Sequence, residues 1–586
     1  MGNFSSRLLT RRKRSRQPAA SSKRVSVSLS VAGSDEFGNT GPLPPDPTRE
    51  TSSDYEEFLR AYPRFTESAA IDELRAGDFT RLSRSAVYLD YMGGGQYPES
   101  LVRAYAETLQ SNVFGNTHSE SMSFIPPMPV HLAVYPSQLS EQYSQEARRA
   151  VLSFFDADPE EYLVVWTANA TAGLKLIGES FPFTSESSLI LPVDAHNSVQ
   201  GIRAFAGRAG ASVKYVPCLE EGGFDMEEAL RMLQALTEPP GSSDPRSRSL
   251  MALTGLSNLT NRKVSLQGIV SAAQAHGVHT ILDAAALAPT TRISLRSTPV
   301  DSMVVSFYKM FGFPTGVGAL IAKKGFLDIL ERPWFAGGAV DLVQVPGVIA
   351  TPAECISSRF EEGTINYLTL PAVTAGINTL SKYMNLLPIR LSSLYHYLYS
   401  QLSMLQYPDT GTPVVQILTG EPSPPSTAPP HGYVLSFLIL DRKGEMVPLS
   451  HIEALAARKG REELPAVAPA FKSTFKRPRN PARARQNNTS DHSSPPLIQE
   501  SLPDLGTAER TIALRTGCAC NPGGAAALLG IDSYMQLLQP GATQRAFELV
   551  VGRELGVIRV SLGWVSDWSD IASFIHFVKG VQEVVG

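Results

Sequence analysis

From Val87 onward the chain alternates short apolar or β-branched runs with longer stretches whose apolar residues recur at helical spacing. The runs are Tyr162–Trp166, Ser188–Val193, Val213–Val216, Leu250–Leu253, Thr280–Leu282, Met303–Phe307 and Val317–Ala322. Such runs, separated by amphipathic segments, predict an α/β domain on a mostly parallel sheet, reaching about residue 345. Beyond residue 350 the pattern is mixed, helical over 369–405 with short strands at Val414–Leu418 and Tyr433–Leu440. A Pro-, Ser- and Arg-rich segment, 458–511, then predicts a disordered surface insertion before Ile512 resumes the pattern. Residues 1–80 open Ser/Arg-rich and run through Gly41-Pro42-Leu43-Pro44-Pro45, a composition that predicts a disordered basic tail. The expected organisation is therefore a tail (1–80), a large domain (81–345) and a smaller α/β C-terminal domain (346–586). No internal repeat is found.

The length of 586 residues exceeds one ordinary domain, and 43% hydrophobic with 18% charged residues suits a sizeable core. Four cysteines (Cys218, Cys355, Cys518 and Cys520) are too few for a disulfide framework in so long a chain and argue for reduced thiols. The net charge of −4 conceals a segregation: residues 1–34 carry eight Lys or Arg and residues 472–485 carry six, with no acid in either. The remainder is strongly acidic, which argues against a nucleic-acid-binding surface. No apolar run is long enough for a spanning helix or a signal-peptide core, so the expected location is cytoplasmic. Met1-Gly2-Asn3-Phe4-Ser5-Ser6 matches the N-myristoylation pattern, and Arg7, Arg11, Arg12, Lys13, Arg14 and Arg16 follow. One reading is membrane-surface contact through an acylated Gly2 and its basic neighbours. A nuclear signal, a transit peptide and a tail without an address are the others.

Candidate chemistry gathers after the apolar runs, where open α/β sheets collect ligands. Ser306-Phe307-Tyr308-Lys309 closes one run and precedes a glycine-rich turn. Burial there lowers a lysine's pKa and frees a nucleophilic amine; an exposed strand-end lysine is the plain alternative. Asp283 follows the preceding run, Thr280-Ile281-Leu282. It suits the pyridine nitrogen of pyridoxal 5′-phosphate (PLP), whose protonated ring is the stronger electron sink, or else serves as an ordinary helix cap. Cys518-Ala519-Cys520 reads either as a reactive thiol pair or as half a metal site. No other cysteine is near it in sequence, so no metal is expected.

Five stretches taken together identify a resemblance: Tyr88-Leu89-Asp90, Phe114-Gly115-Asn116-Thr117-His118-Ser119, Ser306–Gly318, Arg359-Phe360-Glu361-Glu362-Gly363-Thr364 and Arg515-Thr516-Gly517-Cys518-Ala519-Cys520-Asn521-Pro522. In this order they resemble class V PLP enzymes of the cysteine desulfurase type, nearest to the N-terminal domain of eukaryotic molybdenum cofactor sulfurases. The resemblance runs from about Val87 to Val578 and implies PLP-dependent transferase fold type I and a homodimer. It implies Lys309 as the Schiff-base lysine, Asp283 at the pyridine nitrogen, and Ala170 and Thr171 in the turn that cradles the phosphate. His196 would stack on the ring, Asn258 would lie near the substrate and the phenolic oxygen, and Ser306 would hold phosphate. Thr364 would hold phosphate across a dimer. Arg559 would clamp the substrate carboxylate, for which a guanidinium fork is suited. Cys520, in the Arg-x-Gly-x-x-Cys pattern, would take sulfur from L-cysteine as a persulfide, leaving alanine. Four positions depart from the pattern: Tyr308 for a histidine, Ala286 for a glutamine, Asn261 for a glycine and Ala525 for a third cysteine.

On the resemblance, the sequence to Gly586 is expected to lack the C-terminal domain that binds molybdenum cofactor in full-length sulfurases. The sulfur acceptor expected from the resemblance is therefore open among molybdenum cofactor, another protein and a metabolite. Two other readings stand beside the desulfurase: a C–S lyase, epimerase or aminotransferase of specialised metabolism on the same fold, and a catalytically dead membrane-tethered scaffold.

Overall fold

The computed structural model describes residues 53–120, 136–219, 222–236, 248–458 and 511–585, all within one compact unit. The basic N-terminus with Gly2, and nearly all of the expected 458–511 insertion, lie outside those residues.

The main sheet consists of β1 (Tyr162–Thr167), β2 (Ser188–Pro192), β3 (Ser212–Val216), β4 (Ser249–Thr254), β5 (Val278–Asp283), β6 (Ser302–Ser306) and β7 (Gly318–Lys323). Their order across the sheet is β1-β7-β6-β5-β4-β2-β3. β7 runs antiparallel to β1 and β6, and every other neighbouring pair is parallel. β2 and β6 are buried at every position, which is why these runs are continuously apolar and do not alternate. The result is the mostly parallel α/β sheet expected for fold type I.

A second sheet contains β8 (Val415–Ile417), β9 (Val434–Ile439), β10 (Arg515–Gly517) and β11 (Val557–Ser561), in the antiparallel order β8-β9-β11-β10. The stretch expected to be helical over 369–405 is two helices, Leu370–Tyr383 and Leu387–Ser403. The second starts with Pro388 in its first turn, where a missing N–H costs nothing.

The expected tail is corrected over 53–80. Helices Ser53–Ala61 and Ala69–Asp78 flank a 3₁₀ turn at Pro63–Ser68. They bury Phe58, Phe65 and Ile71, with Phe79 following. Arg75 donates to both carboxylate oxygens of Asp570 at 2.8 Å and to the Val565 carbonyl. Phe58 meets Tyr397 edge-on with centroids 5.1 Å apart. The average composition of residues 1–80 hid this handful of apolar side chains at helical spacing, whose burial against the C-terminal part offsets the ordering entropy. The next segment continues inward: Ala86–Tyr88 pairs with Thr511–Ala513, and Asp90 bridges to Ser561 at the end of β11.

Lys309 also differs in its local setting. β6 stops at Ser306, and Phe307–Phe311 forms a short helical turn closed by Gly312 at φ +81. A Cβ at Gly312 would lie 2.5 Å from the Tyr97 backbone, so both the left-handed conformation and the close approach require glycine.

Candidate active site

The turn after β1 leads into the helix Ala170–Ser180, whose N-cap Asn169 accepts from the Ala172 N–H at 2.9 Å. Ser306, at the end of β6, accepts from the Ala170 N–H at 2.8 Å, and Thr171 Oγ1 lies 2.7 Å from Ser198 Oγ. The Thr171, Ser198 and Ser306 hydroxyls gathered around the first turn of an eleven-residue helix suit an anion, because their O–H donors and the positive end of the macrodipole act together there.

Ala170, Thr171, His196, Ser198, Thr254, Asn258, Asp283, Ser306, Tyr308 and Lys309 line one cavity with about 590 Å³ of open space. Asp283 Oδ1 accepts from the Ala285 N–H at 3.0 Å. Burial holds the Lys309 amine below the ordinary lysine value of 10.5. Arg559 and Arg515 push it the same way, while Asp283 and Asp90 oppose them. Burial, followed by the Lys309 charge, also holds His196 below its usual range. His196 Nδ1 accepts from the Ser198 N–H at 3.1 Å, which puts the proton of the neutral ring on Nε2.

The cavity fits PLP on its own chemistry. A buried amine faces the same space as a buried carboxylate, an imidazole and an anion-binding helix end. Thr254 Oγ1, whose residue pairs in register with Asp283, is buried without a hydrogen-bond partner, as expected beside a site built for a polar ligand.

Arg559 lies on β11 at 2% exposure. Its Nη2 donates to Asp90 Oδ1 at 2.5 Å and its Nη1 to the Asn258 carbonyl at 3.2 Å. Nε is buried with no partner, a donor free for a further carboxylate. Cys520 is not among the cavity-lining residues. It stands beside them, its carbonyl accepting from the Asn197 N–H at 2.7 Å; burial holds the neighbouring Arg559 guanidinium below its ordinary value, with the Asp90 carboxylate opposing it. The Asn258 side chain, expected near the substrate, lines the cavity and also donates to the Ala519 carbonyl at 2.8 Å.

Thr364 is placed elsewhere. It lines a separate cleft with Trp166 and Glu362, and its Oγ1 accepts from Asn116 Nδ2 at 3.3 Å. Among the other thiols, Cys218 is pushed up to about 12 by burial and the Asp194 charge. At Cys355 burial is outweighed by hydrogen bonds from Ser357 and Ser358, which hold the thiol low in a different cleft.

One departure from the sequence pattern has a structural account. Asn261 sits at φ +66, a conformation that asparagine tolerates better than most residues. Its side chain accepts from the Val434 N–H and donates to Tyr395 Oη, both at 3.0 Å, so the substitution ties the cavity loop to β9.

Sequence reasoning assigned no role to Asp90, Asp194, Thr254 or Asn521. Asp90 lay within a motif already noted. Asp194 precedes His196 by two residues and Asn521 directly follows Cys520, so adjacency was the available signal.

Residues 87–416 match the aminotransferase class-V family. The chain is 29% identical over 90% of its length to molybdenum cofactor sulfurase of Bos taurus, covering 53% of that protein. To the Homo sapiens protein of the same name it is 28% identical over 87% of its length, covering 51%. It thus spans about half the length of these curated relatives. The apo cysteine desulfurase of Thermococcus onnurineus NA1 superposes with a TM-score of 0.59 at 17% identity, over 87% of this chain and 98% of that one. The chain belongs to the class V aminotransferase family and is a PLP-dependent enzyme of fold type I.

Proposed function

We propose that the protein is a cysteine desulfurase that moves the sulfur of L-cysteine onto Cys520 and then to an acceptor. One observation carries the reading: Lys309, Asp283 and His196 share a cavity whose rim loops are hydrogen-bonded to the turn that holds Cys520. The names of the relatives point the same way.

Lys309 Nζ would hold the cofactor covalently, Asp283 its ring nitrogen, His196 its ring face, and Ser306, Ala170 and Thr171 its phosphate. Bound there, PLP supplies an electron sink for the pair left when a Cα proton departs. Arg559, steadied by Asp90, orients the substrate carboxylate through its free Nε. Lys309 Nζ would take the Cα proton and later return one to Cα, a task suited to an amine whose pKa burial has lowered. The Cys520 thiolate then attacks the substrate sulfur. A new S–S bond forms and the substrate Cβ–S bond breaks. The bonding pair stays on Cβ, which takes a proton and becomes the methyl group of alanine. Cys520 is oxidised and the carbon reduced, so no outside oxidant enters.

Purified protein given PLP and L-cysteine is expected to yield alanine and protein-bound persulfide in equal amounts during the first turnover. Pyruvate in place of alanine would instead establish the C–S lyase reading. For the acceptor, the relatives' names supply molybdenum cofactor. Its addition to persulfidated protein should discharge the persulfide, and a persulfide that persists rejects that acceptor.

The lowered Lys309 pKa has a direct consequence for cofactor capture. Only the neutral amine reacts, so capture by cofactor-free protein is flat above the Lys309 pKa and falls about tenfold per pH unit below it. The break is expected below the ordinary value of 10.5. A break at that value, read by stopped-flow absorbance, would mean that the site does not perturb the lysine.

The working form is proposed to be a homodimer, with Thr364 reaching the phosphate of a second copy. Support comes from the hairpin of Val340–Val343 and Ala350–Pro352, which presents Leu342, Val345, Val348 and Ile349 to solvent, an apolar patch that a second chain would cover. Light scattering should give twice the chain mass, and a monomer at assay concentration would reject the assignment of Thr364.

A further inference from the structure

The turn carrying the half-buried Cys520 is fastened at several points. Ala519 and Cys520 both have left-handed backbone, with φ of 46 and 59. Residues bearing a Cβ keep that conformation only where their surroundings impose it. Here the Ala519 carbonyl accepts from Asn258 Nδ2 at 2.8 Å, and the Cys520 carbonyl from the Asn197 N–H at 2.7 Å. Asn521 is wholly buried. Its Nδ2 donates to Asp194 Oδ1 at 2.6 Å and to Asn258 Oδ1 at 3.1 Å, while its Oδ1 caps the helix Pro522–Leu529 through the Gly524 N–H at 3.0 Å. Gly523 lies so close to the Val193 carbonyl that a Cβ would be 2.1 Å from the oxygen.

Asp194, at 3% exposure, is the centre of this cluster. Besides Asn521, its carboxylate accepts from Ser257 Oγ at 2.6 Å, Thr260 Oγ1 at 2.5 Å and the Gly223 N–H at 3.0 Å. Uncharged donors surround it from three separate chain segments: the loop after β3, the loop after β4, and the Cys520 turn. Such a fully satisfied buried network fixes a geometry and does not merely add cohesion.

We infer that Asp194 and Asn521 are positioning residues for sulfur transfer. They lock the Cys520 turn to the loops that carry His196 and Asn258, so the thiolate meets the substrate from a fixed point and not from a mobile arm. This rests on the reading of Cys520 as the first sulfur acceptor. Asn521 divides its two tasks between its two side-chain atoms, which makes them separable: Oδ1 caps the helix, and Nδ2 makes the tether.

Asn521→Ser retains a capping oxygen and loses the tether. Asp194→Asn keeps the shape but turns an amide donor toward other donors. Three measurements on the full chain decide the matter. Deuterium uptake at Cα of L-alanine in heavy water, with PLP bound, requires the lysine and the cofactor but no thiol. Single-turnover persulfide formation from L-cysteine requires the thiol as well. Backbone amide exchange over 515–525, without substrate, reports the tether itself.

In Asn521→Ser, Cα exchange should stay within about twofold of the parent while persulfide formation slows by at least about tenfold, the scale of a small misplacement of a reacting group. Amides over 515–525 should exchange about tenfold faster as local opening becomes easier. Asp194→Asn should follow the same pattern. Persulfide formation that falls only in step with Cα exchange would overturn the inference, as would unchanged persulfide formation with amide protection intact. If the parent protein itself shows neither Cα exchange nor persulfide, the proposed reaction fails. The amide measurement then judges the tether alone, unchanged protection in Asn521→Ser refuting it.

Discussion

Lys309→Ala is expected to bind PLP without the visible absorbance of the lysine-bound form, and to lose turnover by about a thousandfold or more, since one amine both holds the cofactor and moves the Cα proton. The residue lines a cavity with Asp283, His196 and Ser306, and burial keeps its amine below the ordinary range. The loss should therefore be confined to chemistry. The variant should retain the fold, because the side chain makes no hydrogen bond that holds two elements together. Absorbance spectra with and without PLP, alongside alanine release, check both halves. An unchanged spectrum with persisting turnover would remove Lys309 from the reaction.

The second large effect is expected at Cys520. Cys520→Ser should abolish protein persulfide and stop alanine release from L-cysteine, while cofactor binding and Cα exchange continue. Serine is close in size, but its hydroxyl lacks the thiolate needed to attack sulfur. Cys355→Ser is the informative control. Outweighing burial, hydrogen bonds from Ser357 and Ser358 hold that thiol low, yet it lies in a different cleft, so the change should leave persulfide formation intact. Cys218, pushed up to about 12, is protonated at neutral pH and offers no substitute. Quantifying persulfide and alanine together in the three proteins separates these outcomes. Alanine release at the parental rate from Cys520→Ser would assign the sulfur to another group.

The main sheet was legible because most of its strands are short, largely apolar runs; the structure lengthens β1, β3, β4 and β5, shifts β6 and β7 by one residue and ends β2 one residue early. Lys309 was legible as a candidate, although its setting, a helical turn after β6, was not. That turn depends on Gly312 fitting against the Gln96–Tyr97 backbone, a contact between segments far apart in the chain. The helices over 53–78 were missed for a related reason. Their Phe58, Phe65 and Ile71 follow a long Ser-, Arg- and Pro-rich opening that set the reading of the whole segment, and the helices are held by C-terminal partners, Trp568 against Phe58 and Asp570 against Arg75. Asp90 and Asp194 show the limit most clearly. Asp90 meets Arg559, and Asp194 meets Asn521, across hundreds of residues of chain. Local pattern carries no information on such pairs, whereas strand periodicity is local by nature.

Peptide mass spectrometry after a single turnover with sulfur-labelled L-cysteine tests most directly whether the amine at 309 and the thiol at 520 act on one bound amino acid. One added labelled sulfur on the Cys520 peptide, matched mole for mole by alanine and absent from Lys309→Ala, is the expected result. Labelled sulfur found only as free sulfide, with Cys520 unmodified, would contradict it.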